Sequence, residues 1–127
     1  MLFRSLRDRY LQDSINTASP AKLLLMLYDR LVLDLMQGEE ALRGDDDRAQ
    51  ANDKHTHAQE IVIELRVSLD VEAWSGAAGL ANLYGYLVTE LIGANIARDP
   101  DRVAACRGLV ESLRDAWREA AAAAVAG

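Results

Sequence analysis

The sequence holds little that would lock a chain covalently or break a helix. One cysteine, Cys106, and two prolines, Pro20 and Pro100, occur in 127 residues. A single cysteine cannot close an internal disulfide, and it fits a reducing compartment. Histidine is limited to His55 and His57. Two residues apart on a helix, they point in different directions and cannot chelate one metal. No Glu-x-x-His pair is present, which argues against a di-metal carboxylate bundle. The acidic run Asp45-Asp46-Asp47 lacks the spaced ligands of a calcium loop. No glycine-rich phosphate loop follows a strand. The expectation is a protein without catalytic residues, metal or cofactor. No apolar run approaches the ~20 residues of a membrane span. The opening MLFRSLRDRY lacks the apolar stretch of a signal peptide. A cytoplasmic location without membrane insertion follows as the expectation. Acidic residues outnumber basic ones 20 to 14, giving a net charge of −6. That balance repels phosphate backbones and excludes nucleic acid as a partner.

What is present is helix-forming. Half of the residues are hydrophobic, enough for a real core, and Ala and Leu dominate over β-branched residues. Residues 1–18 read as a partly ordered leader with sparse apolar positions that include Tyr10 and Ile15. Ser19-Pro20 is a cap followed by a proline suited to the first helical position. It opens a first helix to about Leu42. Gly44 is placed to end it in a left-handed C-cap. A second helix is predicted from about Asp47 to Leu69, and Asp70–Gly79 reads as a loop. A third helix spans about Ala78–Arg98. Asp99-Pro100 repeats the start signal and opens a fourth helix to about Ala123. Residues 124–127 read as a frayed tail. Short connections favour antiparallel neighbours. The predicted fold is an all-α, antiparallel up-down four-helix bundle over residues 19–123.

Helical periodicity assigns the faces. Leu24, Leu27, Tyr28, Leu31, Leu35 and Leu42 form the first core stripe, and Ala51, Ala58, Ile61, Val62, Leu65 and Leu69 the second. Leu80, Leu83, Tyr84, Leu87 and Leu91 form the third, with both tyrosine hydroxyls placed at the edge of the core. Val103, Cys106, Leu109, Val110, Leu113 and Trp117 form the fourth. Both histidines read as solvated surface side chains. Several apolar residues are left over on outward faces: Met26, Leu33, Ile63 and Val67. The third helix turns Asn82, Gly85, Thr89, Gly93 and Ile96 outward. Gly85, Thr89 and Gly93 are spaced by four and leave a shallow groove. Two glycines inside one helix each cost about 1 kcal/mol relative to alanine, and a partner lying in the groove is one candidate compensation. Contiguous outward apolar residues mark an interaction surface. The function class this favours is protein binding rather than catalysis. A helical adaptor or dimerisation module is one form of it. A phosphotransfer bundle using His55 or His57 is the enzymatic competitor.

The stretch Ser19-Pro20-Ala21-Lys22-Leu23-Leu24-Leu25-Met26-Leu27-Tyr28-Asp29 closely resembles the opening helix of the flagellin export chaperones, the FliS family. His57–Leu65 with Ser68-Leu69-Asp70 resembles that family's second helix. Leu80–Tyr84 with Leu91 and Ala94-Asn95 resembles its third, and Trp117 and Tyr10 also match. Ala21, Arg30 and Gly85 depart from the family pattern. The resemblance implies a bundle that binds the disordered C-terminal segment of flagellin, prevents premature polymerisation and delivers the cargo to the flagellar export gate. The outward residues above then become flagellin contacts. The resemblance also implies that the leader around Tyr10 and Ile15 covers that surface or docks at the gate.

Overall fold

The structure is a computed structural model in which residues 20–44 and 48–126 are described, with side chains through Ala124. The expectations for Tyr10, Ile15 and Ser19 lie outside the described residues. Four helices follow one another: α1 (Pro20–Arg43), α2 (Arg48–Ser68), α3 (Ala77–Ala97) and α4 (Pro100–Ala126). Each packs against its sequence neighbours and α4 closes back onto α1, with the α3–α4 pair the least extensive. The cross-helix bonds fix the directions. Arg43 at the end of α1 meets Asp101 at the start of α4, while Arg118 late in α4 meets Asp29 early in α1. Asn95 near the end of α3 donates to Asn52 near the start of α2. All these pairs are antiparallel, as the short connections require.

Tyr28, Leu31, Leu35, Ile61, Val62, Leu87, Leu91, Val103 and Val110 fill the centre. They come from the apolar stripes that the helical period predicts. Cys106 lies in the same core, where burial pushes its thiol up to about 11, so it packs as a small apolar residue.

The helix starts follow their local chemistry. Pro20 opens α1. The Asp99 carboxylate accepts from the backbone N–H groups of Asp101 and Arg102 at 3.0 and 3.3 Å, capping α4 behind Pro100. The Ala-rich end keeps α4 helical to Ala126, beyond the expected stop. Gly44 departs from expectation, since no described glycine has positive φ. Its N–H still bonds to the Glu40 carbonyl, continuing the helical pattern. The left-handed residue is Arg98 instead, at φ 53° and ψ 49°. Asp99 N–H then bonds to the Ala94 carbonyl at 2.9 Å. A reversal of two residues before Pro100 demands that geometry, and no glycine is available there.

Three side chains also depart from expectation. Leu109 is 41% exposed, because it lies ~60° off the Cys106 direction, at the edge of its stripe. His55 is buried, its Nδ1–H donating to the Ala51 carbonyl at 2.6 Å. Gly38 on α1 makes room for it: a Cβ there would fall 2.9 Å from His55 Cε1. His57 is half-buried, with Nδ1 bonded to the fully buried Asp34 carboxylate, which Arg30 also approaches at 3.4 Å. Neither histidine is the fully solvated surface group that the sequence suggests.

Candidate protein-docking face

The helix that carries the site is α3, and its composition is the reason. Across AAGLANLYGYLVTELIGANIA the only charged residue is Glu90. A helix apolar on all sides belongs inside a protein, yet α3 has bundle on one side only. Its inward side buries Leu80, Tyr84, Leu87, Leu91 and Ala94. Its outward side therefore displays what is left, namely Tyr86 (47% exposed), Ile92 (43%) and Ile96 (79%). Asn82 and Thr89 are exposed beside them.

The two glycines of the predicted groove are roofed by this chain's own arginines. A Cβ on Gly85 would meet Arg66 Nη1 at 3.2 Å, and one on Gly93 would meet Arg102 Nη2 at 2.5 Å. Arg102 is held there by Glu90 at 2.9 Å. Thr89 donates its hydroxyl to the Gly85 carbonyl at 3.1 Å. The glycines thus let two guanidinium groups approach α3 closely, so part of their helical cost is offset within the chain.

The other sequence candidates divide. Val67 is 66% and Leu33 39% exposed. Met26 and Ile63 are half-buried. Val67 and Ile63 stand on α2, whose Arg66 reaches α3, so they border the α3 face. Leu33 and Met26 stand on α1, which lies diagonally across the bundle from α3 and meets it only through side chains in the core. Sequence reasoning missed Tyr86 and Ile92, whose signal was the near absence of charge along α3 rather than any period. It also missed Met36 and Val71, 42% and 51% exposed.

A second apolar feature lies at one end of the bundle. A cavity of about 400 Å³ is bounded by Pro20, Leu24 and Leu27 of α1, Leu65 of α2, Leu80 and Tyr84 of α3, Trp117 of α4 and Trp74 of the α2–α3 connection. Trp74 and Trp117 meet edge to face, with ring centroids 6.4 Å apart at 89°. Gly76 admits the Trp74 ring, since a Cβ there would fall 1.9 Å from Trp74 Cζ3. Tyr28 and Tyr84 sit beneath with their hydroxyls 2.5 Å apart. Contrary to expectation these hydroxyls are buried and bonded to each other, and burial raises both above the usual phenol range.

No group of His, Cys, Asp and Glu side chains suited to a metal ion occurs among the described residues. No described helix is long and apolar enough to cross a membrane. What the arrangement offers is an apolar helix face, an apolar end cavity and acidic or cationic groups around them.

The comparison with known families decides what kind of binder this is. The family model described as "Flagellar protein FliS" matches residues 3–124. The chain belongs to the FliS family. Among FliS relatives, the flagellar secretion chaperone FliS of Bacillus subtilis (strain 168) is 34% identical over 113 residues, covering 87% of this chain and 82% of the relative. Its counterpart in Campylobacter jejuni is 32% identical over 114 residues, covering 88% of each. That of Escherichia coli (strain K12) is 28% identical over 109 residues, covering 85% and 80%. A solved structure titled "Crystal structure of flagellar chaperone from bacteria" superposes with a TM-score of 0.74 at 21% identity, covering 92% of this chain and 95% of that one. That likeness shows the shared four-helix fold. Membership in FliS accords with a surface organised for holding protein.

Proposed function

We propose that this FliS-family chain acts in the cytoplasm, holds the disordered C-terminal segment of flagellin, prevents its premature polymerisation and hands it to the flagellar export gate. The observation that carries the reading is the outward face of α3, apolar along a helix with one charged residue. A disordered segment that becomes an amphipathic helix has the apolar stripe to lay on such a face.

Magnitudes favour a wrap over a single dock. Tyr86, Ile92, Ile96 and Val67 are the exposed anchors. Burying four such side chains gives roughly 6–12 kcal/mol gross. Ordering the ligand costs about 2–5 kcal/mol, and lost overall motion costs several more. One face alone binds weakly. A cargo chain reaching both this face and the end cavity gains the surplus.

Calorimetry with a synthetic peptide of flagellin's C-terminal segment tests the reading. Wild-type protein binds it, and Val67→Asp with Ile96→Asp loses most of that affinity while helicity and melting temperature stay nearly intact. Failure of the wild type to bind the peptide overturns the proposal. Undiminished affinity in the double variant removes the α3 face from it.

A further inference from the structure

The hydrogen-bond chain under the end cavity has more protons than it can use. Trp117 Nε1–H donates to Tyr28 Oη at 3.2 Å. The Tyr28 and Tyr84 hydroxyls, 2.5 Å apart, share one hydrogen. An indole and two phenols bring three donor hydrogens, and these two contacts consume two. The third finds no acceptor among the described residues, because Tyr84 bonds only to Tyr28 and Tyr28 only to Tyr84 and Trp117.

Burial decides where the spare hydrogen sits. Were Tyr84 to donate to Tyr28, the Tyr28 hydrogen would be stranded on a side chain that is 0% exposed and is not part of the cavity wall. A stranded buried donor forfeits its full hydration. The opposite order runs from Trp117 to Tyr28 to Tyr84, and leaves the spare hydrogen on Tyr84, which is itself only 2% exposed but does line the cavity. Each donor in such a chain polarises the next. Tyr84 therefore ends the chain as the donor in a mostly apolar wall.

We infer that Tyr84 is the polar anchor of a peptide subsite: its hydroxyl donates to a backbone carbonyl of the cargo chain, while an aliphatic side chain of the same cargo fills the cavity against Trp74, Trp117 and Leu24. This rests on the cargo reading above. Glu64 and Asp70 also bound the cavity. Their carboxylates repel an anion, so the acceptor is neutral. Ser68 already donates to Glu64 at 3.2 Å, which leaves Tyr84 as the free hydroxyl donor among the described lining residues. The carbonyls best placed to accept are those of extended cargo backbone or of a cargo helix's C-terminal turn, which have no intrahelical partner.

The test is calorimetry of the same flagellin C-terminal peptide against the full chain, its Tyr84→Phe variant and its Tyr28→Phe variant. Both variants lower the melting temperature, since each breaks the phenol pair. Only Tyr84→Phe removes the cavity donor, so it weakens binding roughly tenfold, whereas Tyr28→Phe changes it less than about threefold. Equal losses in the two variants, or none in Tyr84→Phe, overturn the assignment and leave the cargo reading standing. Tighter binding by Tyr84→Phe also overturns it, because the hydroxyl would then hold residues 1–19 of this chain against the cargo. A wild type that ignores the peptide sinks the cargo reading itself.

Discussion

The α1–α4 seam and the outer face of α3 are built on opposite plans. The seam is laced with charge. Glu39 accepts from Arg43 and Arg107, Arg107 also meets Glu111, Arg43 reaches Asp101, and Asp29 meets Arg114 and Arg118. At Glu39 burial works against ionisation, yet the two arginines win and hold its carboxyl below the usual range. Helix α3 itself contributes one charge, Glu90, and that charge is spent on Arg102, one of the two arginines that reach over the helix at its glycines. A seam of ion pairs fixes two helices against each other and presents a hydrated exterior. Around Tyr86, Ile92 and Ile96 the α3 face makes no such ties and keeps water at an apolar surface. The lesson is that the ion pairs tying helices together and the apolar face proposed for binding lie on different sides of one bundle.

That separation can be broken or sharpened. The largest effect belongs to Tyr86→Asp with Ile96→Asp. Affinity for the flagellin peptide should fall more than about a hundredfold, since two anchors are lost and charges are placed against an apolar ligand. The melting temperature should move by no more than about 2 °C, as both side chains are exposed. Calorimetry and thermal unfolding read the two quantities side by side. Glu39→Ala should do the reverse. It removes the acceptor shared by two arginines at a mostly buried carboxylate and costs about 1–2 kcal/mol in urea unfolding. Peptide affinity should not change.

The pH dependence comes next. Burial, reinforced by the Arg98 charge, holds His55 below the usual imidazole range, although its bond to the Ala51 carbonyl works the other way. The unfolded chain then binds a proton that the folded chain refuses. Stability from this site is complete above about pH 6.5 and is lost as pH falls from there towards the folded value. Urea midpoints at pH 7.5 and 5.5 should show the fall, and His55→Leu should flatten it. The smallest effect is a gain. Arg98→Gly relieves the left-handed backbone between α3 and α4 and should stabilise by about 0.5–1 kcal/mol, read as a melting point a few degrees higher.

The helices were legible because their signals are local. Asp99-Pro100 and Pro20 mark starts that any helix of this sequence would use, and the core stripes follow from a period of 3.6. Gly44 and Arg98 show the limit. A C-cap depends on where the next helix must go, and the tight α3–α4 reversal imposed a positive φ on an arginine. His55 was misread because its place depends on Gly38, seventeen positions earlier, leaving room on another helix. At the α3 site, Thr89 and Ile96 were legible as outward residues. The arginines over Gly85 and Gly93 were not, since they arrive from α2 and α4. The end cavity and the Trp117–Tyr28–Tyr84 chain draw on several helices at once, and no local pattern announces them.

Both tryptophans of the chain border the end cavity, which makes the protein its own optical probe. Native emission comes almost wholly from that end of the molecule. A spectral change on adding cargo therefore reports arrival at the cavity, while occupation of the α3 face around Ile92 and Ile96, towards the other end of that helix, leaves the indoles less affected. A cargo that docks in two stages would show heat in both and light mainly in one.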